Sequence, residues 1–341
     1  MKNYTLPLLF LLFGLCFISL IYIDKKAPYY VPKNFPKPVY DFKNNPLSRE
    51  KYELGRMLFY DPMLSRDSTI SCSSCHSQFS GFTHTDHPTS HGIDDKIGKR
   101  NSPVIINMAW NYFFNWDGGV DFLNRHSINP LTDDDEMDNP IEEILRRLND
   151  NEKYKRLFYV AFNDTIIETS MLMKALASFT VSLVSADSKY DRVKKGEESF
   201  TEQEKNGYQL FKNYCASCHK EPLFTNRDFR KNGLTLDPDL KDFGRMEITQ
   251  NKADSLVFKV PTLRNVEFSF PYMHDGRFKK LSDVLKHYAS IHQLPKEKVS
   301  KELQHLISLD DIAQKDLIAF LKTLTDKAFL YNPDFRPPRE N

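Results

Sequence analysis

Two pentapeptides, Cys72-Ser-Ser-Cys75-His76 and Cys215-Ala-Ser-Cys218-His219, constrain this chain more than any other feature. Their spacing lets two thiols add across the vinyl groups of one porphyrin while the adjacent imidazole binds its iron. A Cys₄ zinc site or a pair of disulfides would also use Cys72, Cys75, Cys215 and Cys218, but would leave His76 and His219 without a role. Two copies of the motif, using four of only five cysteines, imply two covalently bound c-type haems, each with an iron held by His76 or His219.

At 341 residues the chain can form two domains of ordinary size, one per haem. The formal charge of +1 gives no support to nucleic-acid binding. From Thr5 to Ile23 the sequence is almost uninterruptedly apolar, with Lys2 before it and Asp24, Lys25 and Lys26 after it. That length suits a bilayer crossing. No small-x-small cleavage site follows, so an uncleaved signal anchor is preferred over a removed signal peptide, and Cys16 reads as a membrane-buried thiol. Haem is attached outside the bacterial cytoplasmic membrane, so the expected location is the periplasm, anchored to the inner membrane by this segment.

The fold class expected is mainly α, with two cytochrome c-like domains behind the anchor. Residues 1–26 form the anchor or signal peptide and 27–46 a tether rich in proline, including Pro32, Pro36, Pro38 and Pro46. Residues 47–190 form the first haem domain, 191–330 the second, and 331–341 a tail. Helical spacing of apolar residues runs from Ile141 to Phe162 and from Glu168 to Ala186. Thr201 with Glu204 has the form of a capping box opening a helix to Tyr214, and Asp310 or Asp311 can cap a last helix through Leu324. Gly55-Arg-Met-Leu58-Phe59 and Gly207-Tyr-Gln-Leu210-Phe211 form a weak internal repeat ahead of the two motifs.

In the order Leu54-Gly-Arg-Met-Leu-Phe-Tyr-Asp-Pro-Met-Leu-Ser65, Lys99-Arg-Asn-Ser-Pro103, Trp116-Asp-Gly118, Val260-Pro-Thr-Leu-Arg-Asn265 and Pro271-Tyr-Met-His-Asp-Gly276, the chain resembles the bacterial diheme cytochrome c peroxidases, in the wider group that includes MauG-type enzymes. The resemblance implies that the first haem reacts with peroxide and the second accepts electrons. It places Glu136 on the distal catalytic glutamate, with Pro130 in register; the competing reading is a solvated acidic loop formed with Asp133, Asp134 and Asp135. His126 stands where the family usually has a distal glutamine. His91 matches the loop histidine that ligates the first haem in many resting peroxidases, although the loop before Arg100 is longer here.

For the second haem the resemblance points to Tyr288 as distal ligand, as in MauG-type enzymes, with Met273 as runner-up and His274 or His287 as further alternatives. Trp116 matches the tryptophan between the haems, against simple core burial. Asn101, Ser269 and Pro271 fall where the family binds calcium. Three functions remain open: reduction of hydrogen peroxide with electrons from a small c-type cytochrome or cupredoxin, MauG-like oxidation of tryptophan or tyrosine on a partner protein, and a non-enzymatic diheme carrier or sensor. The family is commonly dimeric.

Overall fold

The computed structural model describes residues 28–305 and 307–339. The apolar run from Thr5 to Ile23, and with it the expected anchor, lies outside the described residues. Among the described residues, no helix is long and apolar enough to cross a membrane.

The chain is mainly helical and buries two large apolar clusters, one drawn chiefly from Phe35 to Ala186 and the other from Tyr190 to Leu324, with a small third formed by Ile291, Val299 and Leu303. Each is organised by one helix crossing. Arg49–Tyr60 packs on Thr169–Val181, and Glu202–Tyr214 packs on Asp311–Lys322. Both crossings depend on a glycine. A Cβ on Gly55 would stand 1.9 Å from the Ala175 carbonyl oxygen, and one on Gly207 would stand 1.9 Å from that of Asp316. Only glycine allows backbones this close, which outweighs its cost of about 1 kcal/mol inside a helix. One turn further on, Phe59 and Phe211 are buried in their respective clusters, each contributing roughly 1.5–3 kcal/mol of apolar burial.

The internal repeat extends well beyond these glycines. Segments 103–118 and 261–276 follow the same backbone path: φ is 56° at Asn107 and 59° at Asn265, and 62° at Asn115 and 76° at Met273. Phe114 N donates to Val120 O at 2.7 Å, and Tyr272 N donates to Phe278 O at 2.7 Å. Asn107 N donates to Leu183 O (2.9 Å) and Asn265 N to Leu324 O (3.1 Å). Each asparagine side-chain oxygen then accepts a backbone N–H just beyond, from Ser185 at 3.0 Å and Asp326 at 2.8 Å. The halves lock together at these same ends, where Ser185 Oγ donates to Asp326 (3.1 Å) and Asn265 Nδ2 donates to Ser185 Oγ (3.1 Å). One paired position differs in kind. Ile106 is apolar core, whereas its counterpart Arg264, fully buried, makes a bidentate pair with Asp191 at 2.8 Å.

The Thr201–Glu204 capping box and the Asp310 cap form as their positions predict. Elsewhere the structure departs from the sequence pattern. The periodicity from Ile141 to Phe162 is broken into Ile141–Asn149 and Glu152–Phe162, because Asn151 accepts the N–H groups of Lys153 (3.0 Å) and Tyr154 (3.3 Å) and starts a new helix. The helix expected to reach Ala186 ends at Val181, since the backbone groups beyond it are committed to Asn107.

The segment before Leu47 is non-helical but is not a loose tether. Phe35 and Asn45 are buried, and Trp110 Nε1 donates to Pro36 O at 2.7 Å. The expected tail is also packed: Phe335 joins the first cluster, Tyr60 OH donates to Phe335 O (2.7 Å), and Gln78 Nε2 donates to Asn332 O (2.8 Å). Apolar side chains of the chain's end thus complete the core of its first half.

Candidate active site: two haem motifs with unlike distal sides

The proximal sides of the two motifs are built alike. His76 N donates to Cys72 O at 2.9 Å and His219 N to Cys215 O at 2.8 Å, so one turn of helix holds each Cys pair and its histidine together. His76 Nδ1 donates to Phe82 O at 2.8 Å, and His219 Nδ1 lies 3.2 Å from Phe224 O and 3.1 Å from Pro261 O. Donation at Nδ1 leaves Nε2 as the free lone pair for a metal and fixes the ring's direction. Burial pushes both imidazoles down to about 4, so both are neutral at pH 7.

Phe82 and Phe224 present these carbonyls from left-handed backbone, with φ of 58° and 54°, and both are fully buried. Such a conformation is costly for a bulky residue and persists where packing enforces it. The following threonines secure it: Thr83 Oγ1 donates to Ser102 O, and Thr225 Oγ1 to Val260 O at 2.6 Å. Sequence reasoning missed these four residues, although a Phe-Thr pair after each motif was available as a signal.

Cys72 and Cys215 pack against different clusters, and among the described residues no group of three His, Cys, Asp or Glu side chains could hold a metal. This removes the single Cys₄ zinc reading. The four thiols are free of disulfides, and burial pushes Cys72, Cys75 and Cys215 up to about 12.

In the second half a largely apolar cavity is lined by Cys215, Cys218 and His219 and by Tyr288 from the Leu281–Ser290 helix. Its wall supplies two thiols, a pre-oriented imidazole and a second potential ligand. The donor set fits a covalently held haem. Burial raises the Tyr288 phenol well above its ordinary value. Met273 and His274 also line the cavity, Met273 Sδ accepting from Asn232 Nδ2 at 3.6 Å and His274 stacking on Phe258 with centroids 3.7 Å apart. His287 is otherwise engaged, its Nε2 lying 2.8 Å from Asn232 O.

The candidate distal groups of the first half differ. Glu136 is exposed like the aspartates before it, but the protein packed around it, aided by Asp133 and Asp135, pushes its carboxyl up to about 7. Its charge bears on both Cys72 and Cys75, which places it by the first haem motif. Asp133, Asp134 and Asp135 are exposed. His126 lies within electrostatic reach of His76; burial first, then His76 and Lys259, push it down to about 4, and its Nε2 is 3.0 Å from Asn115 Oδ1. Helices open at the matching positions Leu123 and Leu281, so Pro130 falls in the first half where Tyr288 falls in the second. A proline side chain offers no ligand atom. His91 stacks on His87, with centroids 4.3 Å apart, and its carbonyl lies 3.7 Å from Cys75 Sγ.

Trp116 joins the halves. It lines the second cavity, its Nε1 donates to Asn101 O at 2.7 Å, and Asn101 N donates to His274 O at 2.7 Å. The other tryptophan, Trp110, is plain core. Asn101, Ser269 and Pro271 come together along the same cavity, with Asn101 Nδ2 donating to Pro88 O at 2.9 Å and its side-chain oxygen left over.

A family profile described as di-haem cytochrome c peroxidase matches residues 49–199. The methylamine utilization protein MauG of Methylophilus methylotrophus is 33% identical, with 90% of each chain covered. Cytochrome c551 peroxidase of Nitrosomonas europaea is also 33% identical, over 86% of this chain and 84% of that protein. A solved structure of a MauG-like protein associated with microbial copper homeostasis superimposes with a TM-score of 0.83 at 32% identity, covering 90% of this chain and 98% of the other. With two matching proximal sites on one duplicated scaffold, the chain belongs to the di-haem cytochrome c peroxidase and MauG-like family and is an oxidoreductase of the peroxidase type.

Proposed function

We propose that the protein reduces hydrogen peroxide to water at the Cys72–His76 site, with electrons entering singly at the Cys215–His219 site from a small periplasmic c-type cytochrome or cupredoxin. The observation that carries this reading is the distal asymmetry: an acid held near neutrality on one side, and Tyr288 facing the cavity on the other. When bound, the haems supply the iron that takes peroxide and pass on the electrons that split its O–O bond.

Peroxide takes up two electrons and two protons to give two waters. Glu136, pushed up to about 7, can take a proton from one peroxide oxygen and return it to the other without a large driving-force penalty in either direction. His126 is neutral, and if its Nε2 donates to Asn115 its Nδ1 faces away as an acceptor, so it assists by hydrogen bonding. Trp116 is assigned as the aromatic bridge between the sites, and Tyr288 as the sixth ligand that keeps peroxide from the second. Asn101, Ser269 and Pro271 are assigned to one calcium ion through side-chain and main-chain oxygen. The protein is placed in the periplasm, held by the segment from Thr5 to Ile23.

Tyr288 also favours a second reading, in which the oxidising equivalents are spent on a tryptophan or tyrosine of a partner protein. The carrier or sensor reading is disfavoured by Glu136, since a carrier needs no distal acid. Peroxide turnover by the holoprotein with reduced cytochrome c tests the proposal. Steady turnover supports it; no turnover, with peroxide still consumed and an added partner protein oxidised, overturns it in favour of the second reading.

A further inference from the structure

Lys259 is a partly buried cation that the chemistry above leaves unused. It lines the second cavity beside Phe258 and His274, and its backbone N–H donates to Trp116 O at 2.7 Å, which places it at the junction of the two halves. Its charge also bears on His126, across in the first half. Among the described residues no hydrogen bond or ion pair reaches its Nζ. Burial alone moves the ammonium, down to about 8, with no carboxylate among the described residues opposing it.

His274 repeats the pattern at the same wall. It is 5% exposed, and its Nδ1 is buried without a partner. The partly buried ammonium and the buried ring nitrogen, neither with a partner, both call for an acceptor in the space in front of them. Asp242 and Asp275 do not serve Lys259, because they are engaged by Arg100 and Arg277.

We propose that Lys259 Nζ, with His274 Nδ1 beside it, forms a carboxylate-binding site for a propionate of the covalently held haem of the second half, at the contact with Trp116. This rests on the haem reading above. The ion pair satisfies both orphaned groups and leaves a positive charge next to the porphyrin on the electron path. Reduction adds one electron to the haem, so a nearby cation stabilises the reduced form and raises its potential. Lys259 is therefore a positioning residue: it anchors the haem edge against Trp116 and tunes the second haem relative to the first.

The test is a spectroelectrochemical titration of the holoprotein and its Lys259→Met and Lys259→Arg variants, with haem counted per chain. The expected result is two haems per chain in all three, a downward shift of the second haem's midpoint in Lys259→Met alone, and recovery in Lys259→Arg. The propionate-sensitive resonance Raman band of one haem should shift in Lys259→Met as well. Two haems per chain with both midpoints and the Raman band unchanged would overturn the proposal. Fewer than two covalent haems in the wild-type protein would instead overturn the haem reading on which it rests. Should Lys259→Met fail to fold, Lys259→Gln carries the same comparison.

Discussion

The two halves of this protein share a proximal side and differ at the distal one. Both cross a pair of helices at a glycine, both turn a buried phenylalanine into left-handed backbone to receive a histidine N–H, and both hold that phenylalanine with a threonine. Away from the proximal side the paired positions diverge: Pro130 against Tyr288, Trp116 against His274, and an acidic loop carrying Glu136 in the first half. The scaffold around the two motifs is duplicated, and the halves differ by a few side chains on top of it.

The largest break in this symmetry should come from Glu136→Gln. Loss of a distal proton carrier should slow peroxide cleavage by about 10²–10⁴-fold, measured by stopped-flow, with both haems still attached. An unchanged rate would remove Glu136 from the site. Next comes the one buried ion pair that the first half replaces with Ile106. Arg264→Leu leaves Asp191 buried and unpaired, and should cost about 3–5 kcal/mol in denaturant unfolding, whereas Ile106→Val should cost only about 0.5–1.5 kcal/mol. Equal losses would contradict the assignment of Arg264 as a buried charge partner.

Gly55→Ala and Gly207→Ala sharpen the comparison from the symmetric side. Each pushes a methyl group onto a carbonyl across a helix crossing, and each should destabilise by about 1–3 kcal/mol; a neutral result for either would show that its crossing relaxes freely. The smallest effect is on pH. Glu136 must be ionised to accept the first proton, so peroxide cleavage should fall as pH drops through about 7, and Glu136→Gln should lack that limb. The same raised value has a stability consequence. The protonated folded form contributes fully below the unfolded value near 4.5, and that contribution is lost as pH rises through about 7.

The two Cys-x-x-Cys-His motifs were legible because their chemistry uses rare residues at fixed spacing. Glu136 and Tyr288 were reached only through the family resemblance, since neither stands in a local pattern of its own. What escaped notice depends on contacts distant in sequence. Nothing near Lys259 marks it as a cavity-facing cation, and nothing near Phe335 says that it fills the core beside Tyr52 and Phe82. The repeat of 103–118 in 261–276 was masked for a different reason: Ile106 and Arg264, or Trp116 and His274, share no chemistry, although Pro103 and Pro261, Asn107 and Asn265, and Asp117-Gly118 and Asp275-Gly276 recur at the same positions and the backbone follows the same path. The break after Asn149 was readable, since Asn151 is a strong cap, but the apolar periodicity masked it.

The central claim is that the first haem is open to peroxide and the second is closed by Tyr288. Electron paramagnetic resonance of the oxidised holoprotein, followed through one-electron reduction and repeated on Tyr288→Phe, tests it most directly. The account predicts one high-spin haem able to take peroxide, at the latest after the first electron enters, and a second, low-spin haem whose signal alone changes in Tyr288→Phe. Two low-spin haems that persist after one-electron reduction, or a Tyr288→Phe spectrum identical to that of the wild-type protein, would contradict it.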